Sequence, residues 1–229
     1  MRRFLFSIAL GFASLALADD GLHQVSVTLT AEPPEITVGD DGLYRIRVEG
    51  FNSLRLTGDP ALPFRTFRVL VPPDIVWESL ELEVDPVEEQ PLEGTYRVAP
   101  TPPGRAALDG ETIVDWGPHA NLVNGRNADV YDRDLLFPLR LVERTPRSQK
   151  RKWRFANVTF NPVRYNPATG VLTYCPKAEV TLRFKRQPAL SESALLGDTV
   201  MDDRIPEMVV NFDDAAAWYP TDRGERTTL

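Results

Sequence analysis

Short runs in which apolar and polar residues alternate recur along this chain, and prolines and glycines separate them. Alternation with a period of two is typical of a strand with one face in the core and the other in solvent. The 20 prolines and the scarcity of long helical patterns favour many short strands with tight connections. We therefore predict an all-β fold, an antiparallel β-sandwich of the jelly-roll kind. The runs lie at 25–29, 44–48, 64–71, 77–84, 112–116, 135–142, 158–160 and 180–184.

The first 18 residues are expected to be a signal peptide rather than part of the fold. Arg2 and Arg3 precede an apolar stretch, and the small-residue pattern that ends at Ala18 predicts cleavage before Asp19. This stretch is shorter than the ~20 residues that span a bilayer, and no later apolar run reaches that length. We therefore expect a secreted chain, extracellular or periplasmic, without stable membrane insertion.

The remaining residues are predicted to form one main domain and a tail. Residues 19–187 hold all the alternating runs, and a chain of this size can bury a core by packing alone. The single cysteine excludes an internal disulfide. Residues 188–229 are expected to be a polar linker and a short helix that starts at Asp213 and Asp214, and to lead toward a catalytic domain that the sequence does not contain.

The clearest sequence signal for a turn lies in the segment RYNPATGVLTYCP. Asn166 and Pro167 favour a type I turn, because proline fixes φ and the asparagine side chain can bond its own backbone. Gly170 is expected in the left-handed conformation that side chains resist. Cys175 follows at the end of a short strand, a setting that does not stabilise a thiolate. We predict that this cysteine fills space in the core.

No known catalytic motif occurs in the sequence. A small cysteine hydrolase would need Cys175 paired with a histidine such as His119, and no sequence feature brings the two together. The adjacent aspartates at 40–41 and 202–203 lack the spaced oxygen ligands of a calcium loop and are typical of turns. We expect no catalytic residues, no metal and no cofactor.

Charge is distributed unevenly along the chain. Residues 19–100 hold 16 acidic and 6 basic residues, a net charge of −10, whereas residues 140–187 hold 2 acidic and 12 basic residues, a net charge of +10. Export, the acidic remainder and the alternation of the bases with apolar residues all oppose nucleic-acid binding. Basic solvent faces of strands are the first interpretation, and a docking face for an acidic partner is the second.

Three segments together resemble the N-terminal propeptide of gingipain-type cysteine peptidases. They are GDPALPFRTFRVLVPP, FNPVRYNPATGVLTYCPKAEVTLRF and VVNFDDAAAWYP, and they occur in the order expected in that family. The resemblance extends from about Tyr44 to Pro220. It implies a β-sandwich prodomain that assists folding of the peptidase and covers its active site, in cis or in trans. It also implies that the chain is no enzyme, since the catalytic cysteine and histidine belong to another domain, whether this chain is a fragment of a precursor or free-standing.

Such prodomains present a basic residue to the specificity pocket of the peptidase, and two arginines are candidates here. Arg126 stands alone in the segment NGRNAD, which we expect to be an exposed loop, and it is the first choice. Arg105, in PPGRAAL, is the second. The alternative function is an extracellular adhesion or carbohydrate-binding module, but the four tryptophans are scattered along the chain rather than set out as a stripe for sugar stacking.

Overall fold

The computed structural model describes residues 22–108, 111–118, 121–187 and 199–219. The predicted signal peptide, its cleavage position at Ala18 and Asp19, and His119 lie outside these residues. In the described parts of the chain every ladder between strands is antiparallel. The strands are β1 His23–Thr30, β2 Glu35–Val38, β3 Tyr44–Arg47, β4 Arg65–Val71, β5 Ile75–Val87, β6 Gln90–Pro91, β7 Gly104–Leu108, β8 Glu111–Asp115, β9 Leu122–Val123, β10 Arg126–Asn127, β11 Val142–Lys150, β12 Trp153–Phe160, β13 Val163–Asn166, β14 Val171–Tyr174 and β15 Lys177–Arg186.

The helices are short. They are α1 Ala128–Tyr131, α2 Thr199–Asp202, α3 Ile205–Met208, α4 Phe212–Ala215 and a 3₁₀ helix Ala216–Trp218. The last four follow one another closely in the C-terminal segment, residues 199–219, which is treated below as one unit.

Two three-stranded sheets form the sandwich, one with the order β1-β15-β5 and the other with the order β11-β12-β4. Alternate side chains of each sheet point inward and build one core. On β15 these are Val180 and Leu182, and on β12 they are Val158 and Phe160, all of them fully buried. The alternating pattern of the sequence therefore marks the inward faces, and the prediction of an all-β antiparallel sandwich is confirmed.

Strand β12 is buried on both of its faces. Trp153 and Phe155 point away from the sandwich core, and both are fully buried against the C-terminal segment. Ile205, Ala215 and Tyr219 supply the cover from the segment side. The rings of Trp153 and Tyr219 lie 4.4 Å apart between centroids. The C-terminal segment is thus a third layer over the outer face of the β11-β12-β4 sheet.

The same segment closes the open edge of β4. The Asn211 side chain donates a hydrogen bond from Nδ2 to the Leu70 carbonyl oxygen (2.9 Å), and its Oδ1 accepts one from the Leu70 backbone N–H (2.8 Å). Next to it, the Val210 N–H donates to the Arg68 carbonyl oxygen (3.1 Å). An unpaired strand edge would otherwise invite another chain to pair with it. Asn211 therefore satisfies the backbone where the next strand of the sheet would lie.

Two sequence expectations differ from the structure. The polar linker expected within residues 188–229 does not extend over the described part, 199–219, which packs on the sheet. The short helix expected at Asp213 and Asp214 is present as α4, and the three further helices around it have too few residues each to show a period in the sequence. The strand predicted at 135–142 is also wrong, since regular pairing begins only at Val142. Pro138 lacks the backbone donor that a ladder needs.

A second, smaller core lies beside the sandwich, where the hairpin β2–β3 meets the sheet β13-β14-β6.

Cys175 follows β14 and belongs to the main core. Its side chain is fully buried, and its Sγ donates to the Lys177 carbonyl oxygen at 3.0 Å. Burial raises the pKa of the thiol above its ordinary value. A protonated, enclosed sulfur is a packing group and not a nucleophile.

Replacement of Asn211 by alanine is expected to destabilise the protein by roughly 2–4 kcal/mol, because it leaves the buried N–H and C=O of Leu70 without partners. The measurement is the midpoint of urea unfolding followed by tryptophan fluorescence, which reports on Trp153. Asn52→Ala is the matched control, since the Asn52 side chain bonds the Leu54 N–H in an exposed loop, and its effect should stay within ~0.5 kcal/mol. An unchanged midpoint for Asn211→Ala would contradict the role given to this residue.

Candidate functional site

The hairpin β7–β8 is the part of the described chain with least support from the rest of the fold. Its two strands pair with each other and with no other strand. Residues 104–107 and 111–115 of the two strands are all exposed, on both faces of the ribbon. An isolated two-stranded ribbon is marginally stable in water. The hairpin therefore projects from the domain and is available to another molecule.

Large apolar side chains stand on this hairpin and directly after it. Ile113, Val114 and Trp116 expose 48%, 41% and 50% of their surface, respectively. Val114 lies opposite Arg105 in the ladder, so the two side chains share one face of the ribbon. Apolar residues grouped on a projection, together with the free outer edges of both strands, are features of a surface that binds another protein.

Arg105 is an exposed residue of this ribbon. Among the described residues no carboxylate lies within ion-pair distance of its guanidinium group. Its backbone is extended, and the residues that follow, Ala106 and Ala107, are small and exposed. The side chain is thus free to leave the domain surface and enter a pocket elsewhere.

Arg126 has a different environment from the exposed loop that the sequence suggested. It begins the two-residue strand β10, which pairs with β9 across a tight turn at Asn124 and Gly125, whose φ angles are +50° and +74°. The residue is half-buried, and its guanidinium lies 5.3 Å from the centroid of the Tyr131 ring. The contact with the Tyr131 ring, which the sequence does not reveal, holds the Arg126 side chain against the wall of a concave cleft.

The hairpins β7–β8 and β9–β10 lie side by side. A methyl group on Gly125 would stand 3.9 Å from Cζ3 of Trp116, the residue that follows β8. The Asn127 N–H donates to the Gly58 carbonyl oxygen (2.9 Å), and the Gly58 N–H donates to the Thr101 carbonyl oxygen (2.9 Å). These bonds join the bases of both hairpins to one loop, so the two arginine-bearing ribbons occupy the same end of the molecule.

The turn at Asn166, Pro167 and Gly170 lies at the same end of the molecule as the two hairpins, since Pro167 lines the same cleft as Arg126. Asn166 Oδ1 accepts from the Ala168 N–H (3.1 Å), and Gly170 has a φ of +72°, in the left-handed region that the sequence required. The Gly170 carbonyl oxygen accepts from the Tyr96 N–H (2.8 Å). A Cβ at this position would lie 2.5 Å from Thr95 Cγ2. Only glycine lets the turn approach the backbone of Thr95 and Tyr96 so closely.

Two further properties of the described residues bear on function. They contain no group of three or more histidine, cysteine or acidic side chains placed to hold a metal ion. Within these same ranges no helix is long and apolar enough to cross a membrane.

Comparison with known families gives a match to the family Propeptide_C25 over residues 34–217. The chain belongs to this family. The match covers both sheets of the sandwich except for β1, which precedes it, and it includes most of the C-terminal segment. The protein is therefore a peptidase pro-region and not a catalytic domain, and membership also indicates an extracellular or secreted protein. The resemblance that three sequence segments indicated is confirmed.

Two solved structures from Porphyromonas gingivalis have similar folds. One is a complex of the pro- and mature domains of RgpB, with 17% sequence identity and a TM-score of 0.57, covering 88% of this chain and 97% of that one. The other concerns the zymogenic latency of gingipain K, with 17% identity and a TM-score of 0.52, covering 80% of this chain and 97% of that one. A search of curated proteins gave no match. The adhesion-module alternative is not favoured by these findings.

Replacement of Gly170 by alanine is expected to destabilise the protein more than the same change at Gly42. Both glycines have a φ near +70°, so the backbone strain of ~1–2 kcal/mol is common to the two variants. Gly42 has open space around it, whereas a Cβ at Gly170 meets Thr95 and the Tyr96 backbone. Denaturant midpoints of the two variants measure the difference. Equal midpoints would mean that the turn does not need the close approach.

Proposed function

We propose that this domain keeps a gingipain-like cysteine peptidase latent and assists its folding, and that the hairpin β7–β8 is the inhibitory element. In this proposal Arg105 enters the specificity pocket of the peptidase. The observation that carries the assignment is the exposure of both faces of this hairpin around an arginine that has no partner among the described residues. The peptidase domain is the partner, in cis or in trans.

The chemistry of the contact favours an arginine. Its planar guanidinium group donates two parallel hydrogen bonds to one carboxylate, which gives both charge and geometric fit. A pocket for a basic substrate side chain offers such a carboxylate. The exposed side chain of Val114, on the same face of the ribbon as Arg105, adds apolar area beside the charged contact, and buried apolar area is a main source of affinity in an interface core.

The geometry supports Arg105 ahead of Arg126. An arginine that fills a pocket on another protein has to be exposed, as Arg105 on its two-stranded ribbon is. Arg126 would first have to leave the Tyr131 ring, and a cation–π contact of this kind contributes about 0.5–1 kcal/mol. It would also have to turn out of a concave cleft. The order of the two candidates is therefore the reverse of that taken from the sequence.

Backbone conformation supports the same element. Strand β7 has β8 on one side and no strand on the other. Its free edge can pair with an extended segment of the peptidase, so that main-chain hydrogen bonds give affinity and the arginine gives specificity.

The folding and export parts of the proposal rest on the domain as a whole. A sandwich with a fully buried core and a third layer has the packing needed to fold before its partner and to offer that partner a template. We further propose that residues 1–18 are a signal peptide, removed between Ala18 and Asp19, and that the secreted domain contains the sandwich together with the C-terminal segment.

The test is titration of an arginine- or lysine-preferring gingipain-like peptidase with the secreted chain, residues 19–229, and its variants. Arg105→Ala is expected to weaken inhibition roughly 30- to 5,000-fold, because truncation leaves a buried carboxylate of the peptidase unpaired, a loss of ~2–5 kcal/mol. Arg126→Ala should weaken it less than Arg105→Ala does.

Arg47→Ala is the matched control, since Arg47 is also an exposed arginine in a short paired strand, and it should leave inhibition unchanged. Circular dichroism establishes that each variant is folded. If Arg126→Ala removes inhibition and Arg105→Ala does not, the hairpin assignment is wrong. If the unaltered chain neither inhibits nor binds such a peptidase, the latency function in trans is wrong.

A further inference from the structure

A cleft with a volume of about 330 Å³ opens beside the hairpin β9–β10. It lies between this hairpin, helix α1 and the start of the turn that follows β13. A volume of this size is at the lower end of the range for sites that hold a small molecule or a single side chain. Its lining includes Arg97, Val123, Arg126, Tyr131, Asp132 and Tyr165.

Two arginines converge on this cleft without a partner. Arg97 and Arg126 both line it, and neither forms an ion pair with any described residue. Both lie close enough to Tyr165 to favour its ionised form, although burial is the larger effect and raises the pKa of that tyrosine. The cleft therefore carries a net positive charge, because its two guanidinium groups outnumber the single carboxylate of its lining, Asp132.

The hydroxyl groups of the two tyrosines that line the cleft are already hydrogen-bonded to the backbone, so the arginines are the side chains left to donate hydrogen bonds to a ligand. The Tyr131 hydroxyl donates to the Val98 carbonyl oxygen at 3.0 Å, and the Tyr165 hydroxyl donates to the Tyr96 carbonyl oxygen at 3.0 Å. Each hydroxyl has a single hydrogen to donate, so both are already used. A ligand in the cleft would meet aromatic rings at its sides and guanidinium groups as its hydrogen-bond donors.

We propose that this cleft is a carboxylate-binding site, with Arg97 and Arg126 as the groups that bind the anion. The rings of Tyr131 and Tyr165 would flank the methylene stem of an acidic side chain or of a small organic acid. This proposal is argued from the residues of the cleft alone and does not depend on the proposed inhibitory hairpin. It also gives a role to Arg126 that suits its concave position.

The residual charge favours a carboxylate over phosphate. Asp132 is exposed at the cleft and offsets one of the two positive charges. The remaining single positive charge is neutralised by a monoanion, whereas a phosphate dianion would leave an uncompensated negative charge beside the aspartate. Both oxyanions accept paired hydrogen bonds from arginine, so charge is the property that separates them.

The experiment follows the arginine Nε–Hε signals of the secreted chain in two-dimensional ¹H–¹⁵N NMR spectra during titration. The probes are the peptide acetyl-Ala-Glu-Ala-amide, its neutral counterpart acetyl-Ala-Gln-Ala-amide, sodium propionate and inorganic phosphate, all at equal ionic strength. We expect the glutamate peptide, and not the glutamine peptide, to shift the signals of Arg97 and Arg126. Arg97→Gln and Arg126→Gln should each weaken binding about tenfold or more.

Arg133→Gln is the matched control, because Arg133 is exposed and close in sequence but does not line the cleft; it should leave the titration unchanged. Binding of propionate as strong as that of the glutamate peptide would identify a free small acid as the ligand, and stronger binding of the peptide would identify an acidic side chain of a protein. Tighter binding of phosphate than of either carboxylate would overturn the proposal, as would equal shifts with the glutamine peptide or no shift at all. These outcomes are independent of whether the chain inhibits a peptidase.

Discussion

The burial of β12 on both faces is the constraint on which the rest of the fold depends. One face supplies Val158 and Phe160 to the sandwich core, and the other supplies Trp153 and Phe155 to the layer beneath the C-terminal segment. A strand with two apolar faces cannot remain at a surface, so both sheets and the segment have to be assembled around it. The ion pair between Lys152 and Asp202, at 3.1 Å, and the bond from Trp153 Nε1 to Asp202 Oδ1, at 2.9 Å, fix where the segment begins.

The closely packed surroundings of β12 contrast with the end of the molecule where the hairpins β7–β8 and β9–β10 carry Arg105 and Arg126. The hairpin β7–β8 has no packed face, whereas β9–β10 is tied by Asn127 to a buried loop. One arginine therefore projects and the other lines a cleft, although both lie in short antiparallel ribbons a few residues apart along the chain. The difference follows from tertiary packing around Tyr131, and it separates a group suited to enter a pocket from a group suited to receive an anion.

Much of the architecture could be predicted from the sequence because it is encoded locally. Alternation marked the inward residues of β1, β12 and β15, and Gly170 marked a backbone position with positive φ. The three family segments led to the correct family. The packing of the C-terminal segment on the sheet could not be predicted in this way. Ile205 and Tyr219 lie about fifty or more positions from Trp153, which they contact, and helices of three or four residues are too short to show an apolar period in the sequence. The half-burial of Arg126 likewise depends on a long-range contact, because the Tyr131 ring beside it is held by the bond from its hydroxyl to the Val98 carbonyl oxygen.

The enclosure of Cys175 has a consequence for a domain that covers a cysteine peptidase. The partner of such a domain carries a reactive thiolate, and secreted proteins meet oxidising conditions in which an accessible thiol would exchange with it. Cys175 has no exposed surface and its sulfur hydrogen is bonded to a backbone carbonyl. A domain whose sulfur is enclosed in this way can lie against a nucleophilic cysteine without forming a mixed disulfide, so the contact between the two does not depend on redox state.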